Sequence, residues 1–410
     1  MVTANTGAAS KMAHAYHELI RDVSRDEGAM SVREVEASAV ELFEHTVRTA
    51  TSPRQVENFL DSLPGTPRYT AIRVYFVYHD GDLVHFLLRR AERRAGLTGV
   101  NPEAGGFALQ RTYGREHVRA AQGILSVLPS TVDHIFRMVT ISRSDFWDRA
   151  VHRFVRDTYP ALVRVFFRQA ELRTALSDLQ SHLDPARRLM VEDFSVRERR
   201  LAEEVPASPV AYDSGRKWTH MTVSEAFDEA LERQQWFRSI GFRLEHQRSP
   251  SRHPTLLASG RVYKHGHLHV NGLYADFAAA MLPALERAGH ERLKLFANRG
   301  KTEREYRPAR PLQLVFGRPV FDNRDNMRQF TETLMRYPRA TKALLHSNPY
   351  LHASVADFLD GSSLDVWILS ATRVLLIPQA KASVAALQRL TEYIFSEFRE
   401  GEVGEYISGQ

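Results

Sequence analysis

The sequence predicts an α+β protein: a largely helical N-terminal part, then a mixed-sheet, α/β-type C-terminal domain with β-hairpins. Three observations carry this. Helical and strand-like patterns alternate through the second half. Two tight hairpin signals there imply antiparallel pairing. The charged stretch 197–217, holding Pro206 and Pro209, reads as a linker. Two domains follow: residues 1–205, mainly helical and ending in a β-α-β unit, and residues 206–410, α+β with a basic loop at 299–310.

Taken in order, residues 1–10 are small and polar, a frayed tail. Residues 32–50 carry Val35, Val40, Leu42 and Phe43 on one helical side, with Ser31 as cap. Ser52-Pro53 opens a short helix. Residues 66–95 read as helix, turn, helix despite the strand-favouring IRVYFVY, and 96–110 as a loop. Residues 117–128 and 144–159 read as helices. A strand at 162–167, a helix on Leu172, Leu176, Leu179 and Leu183, and a strand at 189–196 form the β-α-β unit.

Beyond the linker come a strand at 218–223, a helix at 225–240 and a strand at 242–246. A hairpin turns at His265-Gly266, placing Lys264, His267 and His269 on one face. A helix on Leu273, Phe277, Met281 and Leu285 kinks at Pro283 and stops at Gly289. Arg292–Phe296 alternates as a strand. Then come a strand at 312–316, a helix at 325–336, a hairpin of 366–369 with 373–377, and a final helix on Val384, Leu387, Leu390, Ile394 and Phe398, capped by Ser383. There is no internal repeat.

The 410 residues are 43% hydrophobic, enough for real cores, and contain no cysteine. That excludes disulfides, thiolate catalysis and Cys-ligated metal centres. The sequence lacks a membrane-length apolar run, and its start lacks a signal-peptide core, so the expected location is intracellular and cytoplasmic. Net charge is +6, unevenly spread: residues 251–350 hold 17 Lys/Arg against 8 Asp/Glu, and residues 351–410 hold 4 against 8. An oriented basic field suits nucleic acid or an acidic protein surface.

The basic character concentrates at residues 261–342. Arg299, Lys301, Arg304, Arg307 and Arg310 lie in a loop with Gly300 and Pro308, interspersed with Glu303 and Glu305. With Lys264, Lys294, His267 and His269 they form a candidate phosphate-binding set, in which Tyr306 can stack on a base. Tyr263, Tyr274 and Phe296 lie nearby. His267-x-His269 also has the spacing of half a metal site, with no third ligand identifiable. Arg89, Arg90, Arg93 and Arg94 offer a second basic cluster.

Phosphate-loop, dinucleotide, HExxH and GxSxG motifs are absent. Asp365 on one strand and Gln379-Ala380-Lys381 at the end of the next resemble the core of restriction-type nucleases, in the Gln variant of Mrr-like enzymes. That resemblance implies Asp365 as a Mg²⁺ ligand and Lys381 positioning water beside Gln379. His220-Met221-Thr222-Val223 and His352-Ala353-Ser354-Val355 resemble the paired motif of 2H phosphoesterases, which implies two histidines acting as general acid and base. The expectation is a nucleic-acid or polyanion binder or accessory protein. The alternatives are a Mg²⁺-dependent nuclease and a scaffold that docks on an acidic partner.

Overall fold

Ala71–Tyr78 (β1) reads AIRVYFVY, and seven of its eight residues are buried. Ile72, Val74, Phe76 and Tyr78 enter one core while Tyr75 and Val77 enter another. A segment buried on both faces is a central strand, which is what its β-branched and aromatic content favours. The expected first helix of residues 66–95 is therefore this strand, and no helix-turn-helix forms there.

The structure is a computed structural model that describes residues 32–63, 71–93, 95–114, 118–142, 144–198, 216–232, 235–246, 255–297, 310–347, 350–379 and 381–407. Helix and strand contribute almost equally, 39% and 38%, which supports the mixed α+β class. Both sheets are antiparallel, and the N-terminal part is not largely helical.

The first sheet continues through Leu97–Asn101 (β2), Gly106–Tyr113 (β3), Arg119–Pro129 (β4), Ile135–Ile141 (β5), Val163–Arg164 (β6), Arg187–Glu198 (β7), Arg216–Thr222 (β8), Gln235–His246 (β9), Thr255–Tyr263 (β10) and His267–Gly272 (β11). Its order is β2-β3-β4-β5-β1-β11-β10-β9-β7-β8, with β6 also pairing with β1. The second sheet, from Leu312–Val315 (β12), Ala340–His346 (β13), His352–Asp357 (β14), Ser363–Ser370 (β15), Arg373–Pro378 (β16) and Glu402–Glu405 (β17), runs β13-β14-β15-β16-β12-β17.

Several sequence expectations change here. The loop at 96–110 is the β2–β3 hairpin, and the expected helix at 117–128 is β4. The expected helix at 225–240 divides into Val223–Glu232 and the first half of β9. The boundary at 205/206 falls inside the first sheet, since β7 and β8 on its two sides pair antiparallel. The two segments 1–205 and 206–410 thus share one sheet.

The helices are Val32–Thr49 (α1), Pro53–Asp61 (α2), Leu83–Ala91 (α3), then Ser144–Phe146 running through a π turn, Trp147–Val151, into His152–Asp157 (together α4). Gln169–His182 (α5) and Val223–Glu232 (α6) follow. Tyr274–Asp276, a π turn at Phe277–Met281, and Leu282–Ala297 form α7. Arg324–Met335 (α8) and Val384–Glu397 (α9) complete the set.

The two π turns sit at equivalent places, each after one α turn that follows a sheet strand. In α7 the π turn ends two residues before Pro283, and this wider turn accommodates a residue that lacks an N–H donor. Gly289 does not end the helix. A Cβ there would lie 2.7 Å from Val165 Cγ1, so the glycine serves close packing against the residue that follows β6. Arg292–Phe296 is consequently helical, with Leu285, Leu293 and Phe296 buried.

One apolar cluster runs across a face of the first sheet and on into the second sheet and α9. A smaller one packs α3 and α4 on the opposite face of the β1–β5 half. Among the described residues, no helix is long and apolar enough to cross a membrane.

Candidate functional site

The turn joining β10 to β11 has three residues, Lys264-His265-Gly266, because Tyr263 pairs with His267. Tyr263, not Lys264, therefore shares a face with His267 and His269. Gly266 has φ +77°, and a Cβ there would collide with the Val165 carbonyl. Only glycine fits that backbone without strain. The turn is pinned from three sides. The Phe76 N–H donates to Gly266 O at 2.8 Å, the Phe167 N–H to Lys264 O at 2.7 Å, and the Lys264 N–H to Arg238 O at 2.9 Å.

This turn aims His265 at α9. His265 Nδ1 lies 2.7 Å from Glu392 Oε1, and Arg164 of β6 grips the same carboxylate with Nη2 at 2.6 Å and Nε at 3.3 Å. Burial alone pushes the Glu392 carboxyl up. The Arg164 guanidinium and the His265 hydrogen bond outweigh burial and bring it down to about 2. Glu392 is thus a fixed anion at any working pH. Its side chain is 7% exposed, whereas those of His265 and Arg164 are 40% and 45% exposed.

Behind the turn, His152 of α4 and His267 meet edge to face, with ring centroids 4.7 Å apart. Tyr263 stacks on His267 at 3.8 Å, and Trp147 approaches His269 at 5.7 Å. Burial lowers His152 to about 4 and His269 to about 3. It also takes His267 well below the usual imidazole range, aided by its histidine neighbours. These rings are neutral near pH 7 and act as an aromatic wall. Among the described residues, no three His, Asp or Glu side chains are placed to hold a metal ion.

The polar face beyond this wall is a row across the strands. Asp193, Gly241, Arg261, His269, Arg73 and Thr140 are successive cross-strand partners. Arg261 pairs with the fully buried Asp193 and donates to Ser239 Oγ at 2.9 Å.

In front of the wall, a cleft of about 590 Å³ opens between α4 and β6 on one side and α9 and the 337–339 segment on the other. That volume suits a small ligand or one unit of a polymer. His152, Arg164, His265 and Glu392 line it. Arg153 and Arg339 also line it, from opposite walls, both exposed. Among the described residues neither has an acidic partner. The other arginines are compensated: Arg164 by Glu392, Arg156 by Asp157, and Arg389 by Asp357. Arg339 has φ +56°, a left-handed conformation unusual for a non-glycine residue. A larger cleft of about 1090 Å³, lined by Lys294 and Lys381, shares the lining residue Val163 with the first.

The residues singled out in the sequence disperse. Lys264 is buried, its Nζ 2.5 Å from Glu400 Oε2, so it does not face an external anion. His267 and His269 belong to the inner wall. Lys294 and Arg310 are exposed. Arg299, Lys301, Arg304, Tyr306 and Arg307 lie outside the described residues, as does Arg94. Tyr274 and Phe296 are core. Arg90 donates to the Asp157 carbonyl at 3.3 Å.

In the second sheet Gln379 Nε2 donates to Asp365 Oδ2 at 2.9 Å, and His352 Nε2 lies 3.4 Å from that oxygen. Lys381 Nζ instead lies by Gly361, in the larger cleft, which Asp365 does not line. His220 and His352 belong to different sheets. The residues that do converge, Arg153, Arg164, His265, Arg339 and Glu392, come from five separate places in the chain, and only the solvent-facing charge of Arg153 and Arg339 hints at them.

No family model, curated protein or solved structure matches this chain.

Proposed function

We propose that the protein binds single-stranded nucleic acid in a groove centred on the first cleft. The observation that carries this reading is the pair of uncompensated guanidinium groups, Arg153 and Arg339, facing one cleft from opposite walls. A guanidinium with no salt-bridge partner is a ready partner for a phosphate oxygen. Lys294 and Lys381 line the larger cleft and offer further phosphate contacts, with Asp80, Asp133 and Asp360 on the same lining. Tyr159 and Tyr393, half-buried along the first cleft, offer ring surface for bases.

The test is fluorescence anisotropy with a labelled single-stranded 12-mer over a salt series. Replacing Arg153 and Arg339 together by Ala is expected to weaken binding at least tenfold. It should also flatten the slope of log affinity against log salt by about 0.7 for each phosphate that is no longer neutralised. An unchanged slope, or no binding by the parent protein at about 50 mM salt, overturns the reading.

A further inference from the structure

We infer that the same groove cleaves RNA, with His265 as the general base acting on a ribose 2′-hydroxyl; this rests on the binding reading above.

The argument starts from one imidazole with two different sides. Nδ1 of His265 faces the buried Glu392 carboxylate at 2.7 Å. A carboxylate there holds the ring proton on Nδ1 and leaves Nε2 as a lone-pair acceptor. Glu392 in turn is fixed by Arg164, and the ring is carried on a turn that Gly266 and three backbone hydrogen bonds hold in place. With its side chain 40% exposed and lining the cleft, His265 is accessible to a ligand. A base oriented by a third group and set beside arginines is the arrangement that proton abstraction beside a phosphate needs.

The arrangement supplies a proton acceptor and positive charge. The Ser396 hydroxyl oxygen, on the same wall, is buried. RNA brings its own nucleophile, the 2′-hydroxyl next to each phosphorus, and DNA does not. In the step, the 2′-oxygen forms a bond to the adjacent phosphorus as its proton passes to His265 Nε2. The bond from phosphorus to the 5′-oxygen breaks, and that oxygen takes a proton from solvent. The products are a 2′,3′-cyclic phosphate and a 5′-hydroxyl. Arg164, half exposed beside the base, faces the charge gathered on the phosphoryl oxygens. His265 touches the substrate, and Glu392 is a positioning residue.

The experiment incubates the full chain with end-labelled RNA and DNA 12-mers of one sequence, with binding measured on the same samples. The expected result is binding of both, cleavage of RNA alone, and cyclic phosphate ends. His265→Gln should lower the cleavage rate by at least about 100-fold. Glu392→Gln should lower kcat with KM and binding little changed, because the ring loses the carboxylate that orients it, and Glu392→Asp should recover part of the rate. Binding of both polymers with RNA left intact overturns this inference and spares the binding reading, as does RNA cleavage that persists in His265→Gln. Binding of neither overturns the binding reading itself. If Glu392→Gln does not fold, the His265 variant still decides.

Discussion

Lys264 and Glu400 close a buried ion pair, with side chains 6% and 8% exposed, between the β10–β11 turn and the segment after the last helix. A buried pair contributes little net stability as a unit, but removing one partner strands the other charge in a medium that solvates it poorly. Lys264→Ala is therefore expected to cost about 3–5 kcal/mol, read from urea denaturation. A loss below about 1 kcal/mol would mean that water reaches Glu400.

Gly241 faces the Asp193–Arg261 pair across the polar row. A Cβ at 241 would stand 2.6 Å from Asp193 Oδ2 and 2.9 Å from Arg261 Nη2. The pair is largely buried, so its side chains must re-angle and loosen the ion pair to admit the methyl. Gly241→Ala should destabilise by roughly 1–3 kcal/mol, in the range of other overpacking substitutions. Gly317→Ala is the control, since a Cβ there meets nothing within 4 Å.

The inner wall predicts acid sensitivity. Folded His152 and His269 titrate near 4 and 3, against 6.5 when unperturbed. For a group with a depressed folded pKa, the unfolded chain takes up protons first as pH falls. Stability is then full above about pH 6.5 and declines towards pH 4. Glu392, depressed from 4.5 to about 2, adds a further loss below about pH 4.5. The denaturation midpoint should drop between pH 7 and 5, and less steeply in His152→Gln. A midpoint flat over that range would mean these histidines are solvated.

Leu387 is fully buried on the core side of α9, where the Ser383 hydroxyl accepts from the Ala386 N–H at 3.0 Å. Leu387→Ala should cost about 2–5 kcal/mol. Because Arg389 and Glu392 on the same helix line the cleft, the thermal midpoint and nucleic-acid affinity should fall together. A drop in stability with affinity intact would separate the helix from the groove.

Much of this helix framework is legible in the sequence, since α1, α5, α8 and α9 carry unbroken apolar periodicity. The strands are less so. Residues 119–129 include Ala120-Ala121-Gln122, composition that suits a helix, and only pairing with β3 and β5 makes them a strand. IRVYFVY shows the opposite tension, with local content pointing to the strand that forms. Lys264 reads as surface charge because Glu400, 136 positions away, is invisible from its own neighbourhood. The groove is hidden for the same reason. His265 and Glu392 are 127 positions apart, and their relation exists only once both sheets have assembled.

Strand β1 pairs with both β5 and β11, and Arg73 touches His269, 196 positions further on. During synthesis β1 emerges early and finds β5 within reach, while its other edge, beyond the two residues that β6 pairs, stays open until β11 has left the ribosome. At about 5–20 residues per second, that edge waits on the order of ten seconds or more. An unfilled strand edge is a template for the wrong neighbour. A nascent chain halted before Gly272 would thus carry this hazard, and the burden on chaperones should peak in that interval and fall once the hairpin docks.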